Sequence, residues 1–319
     1  MKHKSLFSFL ILVILVILNS GCSPILAQRE MLANQPPVES ATPEQAKIEA
    51  TVTPVIKGTP GSGASLIELR PGTPHGTAQV IHDQVCRQTA AEKKASGGDE
   101  FTNGRFERPF DQEMNYLPAV DIERAELVRP ESGWAYFSIY LDEPPAASPA
   151  LYGIQLDLNI DGRGDYMITF PAPASPEWVE DNIRMNWDSD GDVGGMVINR
   201  ADPKGFKGSG FEAVKIDSAA GKNKGKIWIR LIEKGIQIAV HQDILGGKDP
   251  KFTWQPFAES QPYPPSQFDL NDYYSPSKAG SATAGDTNYP LKELFGIDNT
   301  CKGLSGLTPS GTEQGVCPP

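Results

Sequence analysis

The chain has 319 residues, with 29 Lys and Arg against 40 Asp and Glu, and a formal net charge of −11. That balance leaves no basic patch to neutralise phosphates, which argues against nucleic acid as a partner. An acidic surface instead suits solubility and divalent cations.

The first residues read MKHKSLFSFLILVILVILNSGCSP. Lys2, His3 and Lys4 precede an apolar run at 9–18, and small residues lead to Cys22, which is the order of a secretion signal. The run is about half of the ~20 apolar residues that a spanning helix needs, so residues 1–21 are expected to be a leader and not a permanent membrane helix. Ser20-Gly21-Cys22 resembles a bacterial lipobox, although Asn19 stands where that site usually has Leu. The resemblance implies lipidation of Cys22 and an extracytoplasmic chain anchored to the cell membrane. Ordinary cleavage, with Cys22 left as a thiol, is the other outcome. Removing 1–21 takes away two lysines and no acid, which moves the charge from −11 to about −13.

Residues 22–98 are expected to form a flexible linker. The stretch 23–100 contains no Phe, Tyr or Trp, and it is rich in Pro, Thr, Ala, Gly and Gln. Such a segment buries too little apolar surface to offset its ordering entropy. One short helix is a candidate over 76–95, with Val80, Ile81, Val85 and Cys86 on one side and Gly97-Gly98 as its stop.

The composition changes at Phe101, and residues 99–258 form the predicted domain. WAYFSIYL at 134–141 puts Ala135, Phe137, Ile139 and Leu141 on one face. LYGIQLDLNI, DYMITF, IRMNW, GGMVI, FEAVKI and KIWIRLIEKGIQIAVH follow, each broken by Gly, Pro, Asp or Asn, and the last reads as a hairpin turning at Glu233-Lys234-Gly235. The expected fold is all-β, an antiparallel β-sandwich of jelly-roll type. From Lys251 the alternation fades, and 259–319 is expected to be an irregular C-terminal wrap in which PLKELFGI supplies a helical turn or two.

Two acidic stretches stand out. In LDLNIDGRGDY, Asp157, Asn159, Asp161 and Gly162 match the D-x-N-x-D-G pattern that gathers oxygen ligands around calcium, and Asp165 adds a carboxylate. Ile168 holds the place where an EF-hand has its bidentate Glu, so the remaining ligands must come from elsewhere. NWDSDGDVGG offers Asn186, Asp188, Asp190 and Asp192. If both loops share an end of the sandwich they can hold calcium between them; otherwise they are solvated, self-capping turns. Arg163-Gly164-Asp165 also spells a short adhesion motif inside the first loop.

In an exported chain thiols tend to pair. With Cys22 reserved for lipid, Cys301 and Cys317 are paired by default, and Cys86 joining one of them is the alternative. No nucleophile elbow, zinc-binding helix or phosphate loop is present, and no carboxylate pair singles itself out for glycoside hydrolysis, so the chain is not read as an enzyme. His241 reads as a surface or capping residue. Trp134 and Trp228 lie within strands and belong to the core. Trp178, Trp187 and Trp254 are the candidates for stacking on sugars, with packing beneath the loops as their other role.

The run VDIERAELVRPESGWAYFSIYLDEPP, with Asp121, Trp134, Tyr136, Phe137 and Asp142, resembles the opening of carbohydrate-binding family 9-like and DOMON-like β-sandwich domains. Over residues 105–245 the resemblance implies a binding module for sugars, non-catalytic and calcium-stabilised, or in some relatives for haem. The haem version would require Met167, Met185, Met196 or His241 as axial ligands. The tail is similar to that of uncharacterised bacterial surface lipoproteins. These likenesses make polysaccharide the expected ligand, and a protein-interaction or structural lipoprotein is the alternative.

Overall fold

A computed structural model describes residues 70–95, 107–194, 208–223, 225–310, 313 and 315–317. The leader, Cys22, the linker to residue 69 and most of the strand expected at 194–198 lie outside the described residues.

Two antiparallel sheets pack face to face, as the strand series predicts. In the first, β1 (Ala78–His82), β2 (Ile122–Val128), β3 (Trp134–Leu141), β8 (Ile227–Ile232) and β9 (Gly235–His241) run in the order β1-β2-β3-β9-β8. The second joins β4 (Leu151–Asp157), β5 (Tyr166–Pro171), β6 (Arg184–Trp187), β7 (Ala213–Asp217), β10 (Phe252–Glu259) and β11 (Ile297–Asn299) in the order β11-β10-β4-β5-β6-β7. A last strand, β12 (Gly303–Ser305), also pairs with β10.

The period-2 pattern of β3 sends Ala135, Phe137, Ile139 and Leu141 into the main core, where they meet Tyr152, Ile154 and Leu156 of β4 and Phe252 and Trp254 of β10. The β8–β9 hairpin closes at Glu233-Lys234, with Ile232 opposite Gly235 and Lys234 at φ 52°. Cys301 and Cys317 stand at disulfide distance, and Cys86 is buried outside that pair.

Three expectations need correction. The candidate helix at 76–95, inside the predicted linker, is instead the edge strand β1, paired with β2 from Ala78↔Val128 to His82↔Arg124, followed by two short 3-10 turns. Ile81 is 3% exposed and its neighbour Val80 is 43% exposed, so the operative period is two rather than 3.6. The sandwich therefore begins inside the stretch assigned to the linker.

The second correction concerns β10, a central strand placed where the alternation fades. All eight of its residues are buried. Its inward side chains join the main core, whereas Phe257 joins Met167, Phe211, Tyr263, Phe268 and Leu270 in a second cluster on the outer face. A strand covered on both faces loses the alternating signature. Pro256 is tolerated where the neighbouring edge is split, with β12 opposite residues 252–254 and β11 opposite 257–259. The C-terminal segment thus covers sheet two and contributes two strands to it. Finally, PLKELFGI is not helical: Leu291 bridges to Gly280, and the helical turns lie at Leu270–Tyr273 and Pro276–Ala279.

Candidate cation and ligand site

Strand pairing brings the two acidic loops together. Tyr166 at the start of β5 lies opposite Trp187 at the end of β6, so Asp165 and Asp188 emerge side by side. The Asp188 amide donates to the Asp165 carbonyl at 3.1 Å, Gly164 N–H donates to the Val193 carbonyl at 3.1 Å, and Arg163 bridges to Gly194. Gly162 and Gly191 take positive φ (91° and 74°), the turn conformation for which the D-G pattern is built.

Within the first loop the carboxylates serve mainly the loop's own backbone. Asp157 accepts from the amides of Ile160 (2.6 Å) and Gly162 (2.9 Å), Asp165 from Leu158 (2.6 Å), and Asp161 from Arg163 (2.9 Å). Asn159 accepts from the Asp161 amide and donates back to its carboxylate. These are the self-capping contacts of Asx turns. Burial pushes the Asp157 and Asp165 carboxyls above their ordinary range, and the backbone donors pull them back. Asp165, the acid of the Arg-Gly-Asp triplet, is thereby engaged inside the loop.

In the second loop Asp188 accepts from the amides of Gly191 (2.8 Å), Asp192 (3.3 Å) and Val193 (2.9 Å). Here, however, the acids also converge. One oxygen each from Asp188, Asp190 and Glu212 lies within 4.8 Å of the others. Ligands on opposite sides of a calcium ion, each at about 2.4 Å, are about that far apart, so the three fit one coordination sphere. Asp192 stands beside them, 3% exposed, with Oδ2 on Ser209 and Oδ1 buried without a hydrogen bond. No acid of 157–165 belongs to such a group among the described residues. The two loops share an end without pooling their carboxylates.

Glu212 was hidden in the sequence because it reads as the start of a strand. Trp187 pairs with Ala213, so the residue before Ala213 adjoins the turn after Trp187, and Glu212 accepts from both the amide and the hydroxyl of Ser189. Pairing IRMNW with FEAVKI at the outset would have found it.

Of the three stacking tryptophans, Trp187 is 38% exposed beside the second loop, with Tyr166 as its cross-strand neighbour and the Lys215 ammonium 4.7 Å from the Trp187 ring centre. The other two do not face solvent. Trp254 is 1% exposed in the main core, edge-on to Phe137. Trp178 is 7% exposed on the outer face of sheet one, packed on Tyr136 and capped by Arg230, with its indole N–H donating to the Gly72 carbonyl. Trp134, taken as core, packs in that same outer cluster, and Trp228 lies half-buried against it. His241 sits at the end of β9, where Nδ1 accepts from the Asp243 amide. Met167 and Met185 fall in separate clusters on the two faces of sheet two, so they do not converge on a haem, and Met196 lies outside the described residues.

The class that fold and site define is an antiparallel β-sandwich with paired acidic loops and an exposed tryptophan at one end. No protein-family model, curated protein or solved structure matches the chain.

Proposed function

We propose that this protein is a lipid-anchored, extracytoplasmic binding module, stabilised by calcium at the second acidic loop, that binds carbohydrate without catalysis. The observation that supports this reading is Trp187, an exposed ring immediately before Asp188. Ring faces next to polar groups suit stacking on sugars. Tyr166 widens the apolar face, and the cation site would fix the loop that borders it. The resemblance of 120–142 to carbohydrate-binding family 9-like and DOMON-like domains points the same way.

A glycan array probed with the wild-type chain and with Trp187→Ala tests it. The expected result is binding of at least one polysaccharide in calcium, weakened in chelator and lost by more than tenfold in Trp187→Ala with an unchanged melting temperature. Absence of any bound glycan overturns the sugar reading. The burial of Trp178 and Trp254 favours a second reading, a structural or protein-interaction surface lipoprotein. A partner recovered by surface cross-linking, with no glycan bound, would establish it.

A further inference from the structure

The end of sheet two opposite the acidic loops holds another set of carboxylates, and this one is internal. Asp298 on β11 lies opposite Ala258 of β10, whereas Asp157 lies opposite Thr253. Five residues of one strand, roughly 17 Å, separate the two ends.

One carboxylate oxygen each from Asp83, Glu107 and Asp298 lies within 4.8 Å of the others. Glu107 is 2% exposed and Asp298 0%, while Asp83, just past β1, is half-buried. Asp298 Oδ2 accepts from the Ile122 amide at 2.7 Å, and its Oδ1 is buried with no hydrogen-bond partner among the described residues. Asp121, also 0% exposed, borders the group: Oδ2 accepts from the Cys86 amide and the Tyr116 hydroxyl, and Oδ1 is likewise buried without a hydrogen bond. The Cys86 thiol donates to Glu107 Oε1 at 3.2 Å. Arg87 is held by Asp142 in an ion pair.

Carboxylates gathered away from water need either protons or a positive charge. The donor set here is all oxygen, which suits a hard cation, and its span fits within the diameter of a calcium coordination sphere. We propose that Asp83, Glu107 and Asp298 form an internal site for a divalent cation of the calcium class, bordered by Asp121 and opening to solvent at Asp83. An ion there would tie the end of β1 in sheet one, and the segment that carries Glu107, to β11 in sheet two, and so clamp the edges of the sandwich together. Burial, reinforced by the charges of Glu107, Asp83 and Asp121, pushes the Asp298 carboxyl well above its ordinary range, and burial pushes Asp121 up to about 6. Protons therefore compete for the site, and cation uptake would release them.

The test uses the full chain carrying Asp190→Asn and Glu212→Gln, which removes the loop site. Equilibrium dialysis against calcium is expected to retain one ion per chain, and adding Asp298→Asn is expected to abolish it. Terbium replacing calcium is expected to emit on tyrosine excitation, with the emission lowered several-fold by Tyr116→Phe, a readout available even if Asp298→Asn fails to fold. A folded loop variant that binds neither calcium nor terbium, its carboxyls holding protons only, overturns the proposal. So does equal binding with and without Asp298→Asn. Loss of sugar binding in the loop variant bears only on the surface reading and leaves this site standing.

Discussion

The two ends of sheet two gather their carboxylates in different ways. At the loop end the acids are dense in sequence, and the backbone serves them: Asp157, Asp161, Asp165 and Asp188 each accept from at least one main-chain amide. At the β11 end Asp83, Glu107, Asp121 and Asp298 are scattered along the chain, yet they lie close together, and all but the half-buried Asp83 are shut away from solvent. Asp121 and Asp298 each leave one oxygen without a hydrogen bond there. Demand for a cation follows the donors available per buried oxygen, not the acids per stretch of sequence. A run of Asp and Asn spaced for calcium is equally spaced for capping its own turns.

The same contrast governs the tryptophans and gives the largest expected effect. Trp254 fills the core between the sheets, so Trp254→Ala is expected to cost ~3–5 kcal/mol of stability. Trp187→Ala, at 38% exposure, is expected to change stability by no more than ~0.5 kcal/mol and to act on ligand binding instead. Urea titrations of both variants check this. Comparable losses would mean that Trp187 is a packing residue, and the loop end would then have no free aromatic face.

How much was legible follows from where each residue's partners lie. The β3 alternation and the β8–β9 hairpin were readable because one face of each strand meets the core and the turn chemistry is local. β10 was not, since the second cluster covering its outer face is built from residues up to Ile297. β1 was missed because a five-residue edge strand with one inward anchor, Ile81, has too short a pattern to oppose a helical reading. In the site, Asp188 and Asp190 were visible as a motif. Glu212 required the β6–β7 pairing, and Asp298 required knowledge that β11 would lie beside β10. Contacts made by tertiary pairing leave no spacing to read.

Protonation sharpens the comparison at the β11 end. Glu259, 0% exposed on β10 beside β11, accepts from the Tyr263 amide through one oxygen while the other lacks a hydrogen bond. Burial pushes its carboxyl from 4.5 up to about 8. Between those values the folded state holds a proton that the unfolded state has released, so stability must fall as pH rises through the window. The slope from this residue is ~1.4 kcal/mol per pH unit, and it levels off above the folded value. Glu259→Gln is expected to reduce the pH slope of urea midpoints, measured in chelator, by that amount. An unchanged slope would mean that Glu259 stays ionised and that this end is wetter than its burial implies.

The smallest effect is expected where the sequence motif is strongest. Asp161 is exposed, and its carboxylate bonds the Arg163 amide and the Asn159 side chain within a single turn. Asp161→Ala removes local contacts that water can replace, so the loss should stay under ~1 kcal/mol. It should also leave calcium uptake unchanged, because among the described residues no carboxylate of the first loop joins the Asp188–Asp190–Glu212 group. Asp188→Ala, by contrast, strips the Gly191, Asp192 and Val193 amides of their acceptor and is expected to lower calcium uptake at this end. Calorimetric titration of the two variants separates the loops. If Asp161→Ala lowers calcium affinity as much as Asp188→Ala does, the first loop supplies ligands after all. The capping contacts would then have to exchange for metal contacts on binding, and the loop end would join the buried end as a place where carboxylates wait on a cation.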